Sequence, residues 1–140
     1  ARQIPSATGG NGQPALWLHM ETTGFSDLVL MGDAEENLDR HASIAHTHPT
    51  VILGHRDSHF RRLKDLEIQD QIQAEHPDGT VQTYQVTETE ILPAENVHRR
   101  ILEHRDPDSL VLITCYPFHY IGPAPDRYLV WARPGHHSLL

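Results

Sequence analysis

Apolar residues fall into short runs separated by polar or turn-forming stretches, a pattern that predicts strands far more often than helices. Residues 16–20 and 27–31 are two such runs, joined through the turn-like Thr23-Gly24-Phe25-Ser26. Residues 34–42 are polar and rich in helix formers, with Asp33 placed to cap a short helix there. A strand over 50–53 ends at the turn residue Gly54, and Phe60, Leu63 and Leu66 then recur at about one helical turn, predicting a short helix with an inward apolar side. Residues 71–75 alternate polar and apolar, His76-Pro77-Asp78-Gly79 supplies turn chemistry, and 80–87 resumes as a strand with Tyr84 and Val86 on one face, which predicts a hairpin. Ile91-Leu92-Pro93 closes a further strand, and Pro93 is suited to start a helix over 94–103. After the breaker Asp106-Pro107-Asp108 come four consecutive aliphatics, Leu110 to Ile113, which predict a strand buried on both faces, and 127–132 reads as extended chain again. Residues 1–14, with three glycines and two prolines, read as a flexible leader with little order before Ala15, and 15–140 as one domain. Seven or eight short strands with one or two helices make the chain mainly β, a closed or partly closed β-barrel.

The buried strand leads into the chain's single cysteine, Cys115, and then into residues 116–126, whose three prolines and one glycine hold them irregular. That loop exceeds the roughly two to five residues of an ordinary hairpin connection, and a long loop beside a unique thiol suits the wall of a binding site. Side chains alternate along strands, so Cys115 shares a face with Val111 and Ile113, and Arg127 with Leu129 and Trp131. Antiparallel pairing of the two strands would bring thiol and guanidinium together at one end of the sheet. Taken singly, each residue has a plainer reading: Cys115 as a buried core thiol, Arg127 as a surface or ion-paired strand residue, Trp131 as core or rim packing.

Composition narrows the function. The chain has 140 residues, enough for one self-sufficient core, and a lone cysteine cannot form an internal disulfide. A formal charge of −8 argues against a nucleic-acid surface and against electrostatic attachment to anionic lipid. The 12 histidines would carry that charge to +4 (12 minus 8) if all were protonated, so the surface field depends on mildly acidic pH. No run approaches the roughly 20 apolar residues of a membrane span, and none has the arrangement of a signal peptide.

Thr114-Cys115-Tyr116-Pro117-Phe118, then Gly122-Pro123-Ala124-Pro125-Asp126-Arg127 twelve residues after the cysteine (127 minus 115), together with Val51-Ile52-Leu53-Gly54-His55-Arg56 and Phe60 upstream, resemble the signature of the sortases, most closely the class D and related proteobacterial-type members. The similarity runs in order from about residue 17 to 133. It implies a sortase β-barrel and a cysteine transpeptidase that cleaves an LPXTG-like C-terminal sorting signal through a thioacyl-enzyme and transfers it to an amine at the cell surface. By the same resemblance Cys115 is the nucleophile, His55 the acid and base for the leaving and incoming amines, and Arg127 the clamp for substrate and oxyanion, with Thr114 a candidate for a further hydrogen bond. Phe118, Tyr120 and Ile121 are candidate apolar contacts to the peptide. Such enzymes carry an N-terminal membrane anchor, so the chain is expected to be the extracytoplasmic part of an envelope protein with the anchor trimmed. Where the family commonly has Gly-Asp before the next strand, this chain has Gln69-Asp70, a departure that bears on turn geometry.

Two alternatives stand beside this reading. The same fold and thiol can hydrolyse the acyl-enzyme with water. A different class of protein would use the histidines: His46 and His48 would project to one face of an extended segment near His41, His55 and His59, a conceivable Zn²⁺ site whose spacing fits no strong motif. No cofactor is expected for the transpeptidase, and no acidic cluster marks a calcium cage.

Overall fold

The computed structural model describes residues 11–32, 35–56, 58–118 and 122–135, with the side chains of residues 35 and 36 excepted. Eight strands close into one barrel: β1 (Pro14–Met20), β2 (Phe25–Met31), β3 (Ala42–His46), β4 (Thr50–Leu53), β5 (Gln71–Glu75), β6 (Val81–Pro93), β7 (Leu110–Tyr116) and β8 (Asp126–Pro134). Around the barrel they run β1-β2-β3-β4-β7-β8-β6-β5, and β5 returns to pair with β1. Closure leaves no free sheet edge. A short α1 (Glu35–Leu38) links β2 to β3, and α2 (Val97–Glu103) links β6 to β7. No described helix is long and apolar enough to cross a membrane.

Strand alternation divides the core in two. One set of side chains, including Leu18, Ile52, Leu110, Leu112 and Val130, fills the barrel interior. The other set on the same strands, Val51, Val111, Ile113, Leu129 and Trp131, faces outward and packs beneath Val97 and Ile101 of α2. The run Leu110 to Ile113 is therefore buried on both sides, one by the interior and one by the helix.

Several elements differ from the expected ones. β3 was not foreseen, because its residues Ala42-Ser43-Ile44-Ala45-His46 carry weak alternation and were read in part as helix. Val81–Pro93 form one strand of 13 residues, with a register shift between Val86 and Glu88, where two strands were expected over 80–93. The bulge residue Thr87 turns its hydroxyl to the Trp131 carbonyl at 3.3 Å, which keeps the ladder continuous. The expected helix after Phe60 is a 3-10 turn, Leu63–Asp65, and that over 94–103 begins as a 3-10 turn, Ala94–Asn96. Asp33, expected as a helix cap, and residues 1–10 of the expected leader lie outside the described residues. Gly12 and Gln13 exchange backbone hydrogen bonds with Met31. Gln69 takes up the left-handed conformation with φ of 80° and donates its N–H to the Val86 carbonyl, so the turn forms with glutamine where glycine would be unstrained.

Candidate active site

Topology alone delivers the site. β4 and β7 are parallel neighbours with Leu53 opposite Ile113, so the two chains leave the sheet side by side at one rim, and the Gly54 N–H still donates to the Ile113 carbonyl at 3.1 Å. His55 lies two residues beyond Leu53 and Cys115 two beyond Ile113. β8 runs antiparallel to β7 with Arg127 directly opposite Cys115. Three residues 60 and 12 positions from one another (115 minus 55; 127 minus 115) thus meet on three adjacent strand ends.

They line a common cavity of about 200 Å³, with Leu38, Leu53, Gly54, Ile113 and Thr114 completing its wall. Cys115 is half-buried and is a free thiol. Gly54 is required by the close approach of Phe60: a Cβ there would sit 2.5 Å from the ring. The Arg127 guanidinium bends over its own loop, Nη1 donating to the carbonyls of Ala124 at 3.0 Å and Asp126 at 2.8 Å. Thr114 is 2% exposed, and its Oγ1 has no hydrogen-bond partner among the described residues. A buried hydroxyl left unpaired costs about 1–3 kcal/mol, which is tolerable where a ligand completes it.

A second cavity, about 390 Å³, opens alongside and shares Leu53, Ile113 and Arg127 with the first. Its floor is the outward face of β4 and β7, including Val51, and its far wall is Ala94, Val97, His98, Ile101 and Leu102 from the start and body of α2, with Ala45 and His46 of β3 across from them. The sequence reading missed this wall. Its signal was present, since Val97 and Ile101 are spaced at i, i+4 and form an apolar stripe on a helix that directly precedes the cysteine strand.

Of the residues expected to contact a ligand, Thr114 lines the cysteine cavity. Phe118 does not: it packs edge-on to Tyr116 at 5.7 Å and Tyr128 at 5.4 Å between ring centroids, with the Lys64 ammonium 5.8 Å above its ring. Tyr120 and Ile121 lie outside the described residues. The histidines form no metal site there: among the described residues no three of the His, Cys, Asp and Glu side chains converge as ligands. His46 and His48 flank a tight turn rather than an extended segment, with φ of 60° at His48 and His46 Nδ1 donating to the Pro49 carbonyl at 3.1 Å.

The family model for the sortase domain matches residues 18–135. Sortase D of Bacillus subtilis is 39% identical over 83 residues, an alignment covering 59% of this chain and 41% of that protein. Among solved structures, the Clostridium perfringens Sortase D5 transpeptidase superposes with a TM-score of 0.76 at 18% identity, over 91% of this chain and 82% of that one. The Clostridium perfringens sortase C solved with a C-terminal cell wall sorting motif gives 0.78 at 15% identity, over 93% and 75%. The chain belongs to the sortase family. Within that family class D fits its sequence.

Proposed function

We propose that this protein is a sortase-type cysteine transpeptidase acting on an LPXTG-like sorting signal at the cell envelope, to which an N-terminal anchor would hold it. The observation that carries the proposal is the convergence of Cys115, His55 and Arg127 on one small cavity that continues into an apolar groove. Attack of the Cys115 thiolate on the scissile carbonyl forms a thioester and breaks the peptide bond, His55 donating a proton to the departing amine. An incoming amine then attacks the thioester, His55 taking its proton, and Cys115 leaves as thiolate. Arg127 sits beside the position of the developing oxyanion, and a shift of Nη1 from its own loop carbonyls to substrate frees its donors for that charge. Thr114 Oγ1 offers a hydrogen bond already desolvated. The groove under α2 takes the apolar side chains of the signal.

The test is product analysis with wild type and Cys115→Ala on a panel of LPXTG-like peptides with triglycine. A peptide–triglycine conjugate that requires Cys115 supports transfer. Cleavage with only a free carboxylate product would make the protein mainly a hydrolase, and no cleavage across the panel would overturn the reading.

A further inference from the structure

The loop that carries His55 is fastened to the rim on both sides by residues that do not line the cysteine cavity. Immediately after His55, Arg56 Nη2 donates to the Gly122 carbonyl at 3.1 Å, a link across 66 residues to the loop between β7 and β8. Four residues after His55, His59 Nε2 lies 2.9 Å from the Arg40 carbonyl. A carbonyl only accepts, so His59 carries its proton on Nε2, leaving Nδ1 to accept from the Ser58 hydroxyl at 3.5 Å. The Arg40 turn follows directly on Leu38, which forms part of the cysteine cavity.

The His59 ring also lies nearly parallel to that of His55, with centroids 6.5 Å apart and planes 27° from one another. Between them the loop backbone is closed on itself, the Phe60 N–H donating to the His55 carbonyl at 3.0 Å. These bonds fix the main chain around His55, whereas the direction of its ring depends on what stands beside it. Thr23, Ser26, Asp27, Ser58, Arg61 and Arg62 are the polar groups that share a cavity of about 320 Å³ with His59.

We propose that His59 and Arg56 are positioning residues that hold His55 over the cysteine cavity, His59 from the α1 side and Arg56 from the side of the β7–β8 loop. The proposal rests on the reading of Cys115 and His55 as the reacting couple. Misplacing a reacting group by about 1 Å can cost on the order of 100-fold in rate without weakening binding remote from it. Loss of the clamp therefore belongs in kcat, because the groove under α2 is built from other elements.

Three His59 variants separate the contributions. His59→Gln keeps an N–H within reach of the Arg40 carbonyl, His59→Phe keeps a ring without a donor, and His59→Ala keeps neither. The expected result is a fall in kcat of about tenfold for Ala and Phe with KM within about twofold, and recovery to within about threefold of wild type for Gln. Arg56→Leu should show the same split and Arg56→Lys should recover it. A second readout needs no turnover: the rate of Cys115 alkylation by iodoacetamide at neutral pH should be shared by wild type and His59→Gln and fall in His59→Ala and His59→Phe. If wild type makes no peptide product, the transpeptidase reading fails by itself and the alkylation series still decides the clamp. Unchanged kcat and alkylation in His59→Ala, a rise in KM without loss of kcat, or Gln and Lys variants no better than Ala and Leu would overturn it.

Discussion

At the residue scale, Thr114 illustrates how a site differs from a core. Its hydroxyl is buried on the cavity side with no partner among the described residues, so replacing it with isosteric valine removes an unpaired polar group at no packing cost. Thr114→Val is expected to leave the thermal midpoint unchanged or raised while lowering kcat/KM about tenfold, the worth of one ordinary hydrogen bond to substrate. A lower midpoint with full activity would assign the hydroxyl to folding. Gln69 carries strain of a different kind, a non-glycine residue at φ of 80° held by its bond to Val86. Gln69→Gly should stabilise the protein by about 1 kcal/mol in urea titrations, since the left-handed conformation costs a side chain roughly 1–2 kcal/mol. That Cys115 and Arg127 face one another was legible from strand alternation once β7 and β8 pair antiparallel, whereas His55 entered only through the family resemblance, because nothing local tells β4 that it will lie beside β7. Leu38 was not legible, because nothing local tells a four-residue helix which rim it will close.

At the scale of elements, the groove depends on how α2 is held. Arg100 of that helix donates to Glu90 Oε2 at 2.9 Å and to Glu88 Oε1 at 3.2 Å, and its guanidinium lies 4.9 Å from the Trp131 ring centroid. Trp131 Nε1 donates to the same Glu90 carboxylate at 2.6 Å, and the His104 ring stacks on the indole at 4.1 Å. Together these contacts pin the helix that walls the groove to the outer face of β6 and β8. Arg100→Leu is expected to raise peptide KM about three- to tenfold with kcat little changed, because it loosens the wall and leaves the cysteine rim intact. A fall in kcat at constant KM would place the effect at the rim instead. The strand pattern showed that this sheet is covered on both faces, since Leu110 to Ile113 has no polar side. It did not show the helix doing the covering as one side of a groove, because an apolar stripe of Val97 and Ile101 looks the same packed fully or packed with room beside it.

For the whole molecule, the closed barrel puts its chemistry at one rim and an apolar cavity of about 620 Å³ at the other, lined by Leu16, Ile52, Leu110 and Tyr84 among others. Burial raises the Tyr84 phenol above its ordinary value of 10.0, with the Asp108 carboxylate adding to the shift. The unfolded chain loses that proton near the ordinary value and the folded chain at higher pH. Stability is therefore full below about pH 10 and is lost as pH rises through the folded value. Tyr84→Phe cannot ionise, so its thermal midpoint should fall less than that of wild type between about pH 9 and pH 11. Parallel decline of the two proteins would contradict this. The short runs predict a barrel of seven or eight strands, but they miss β3, and the merging of 81–93 into one strand depends on β8 lying alongside over its full length, a pairing between residues distant in sequence.

The central claim is that Cys115 forms a thioester with a sorting-signal peptide. Intact-protein mass spectrometry of wild type and Cys115→Ala, each quenched in acid after mixing with LPXTG-like peptides in the absence of an added amine, reads that bond directly. The account expects wild type to gain the mass of the peptide's amino-terminal fragment less one water, located on Cys115 and discharged by triglycine, with no gain in the variant. An unmodified mass across the panel, with Cys115 reacting no faster than an ordinary thiol, would contradict it and return this cysteine to the role of a strand-end packing residue.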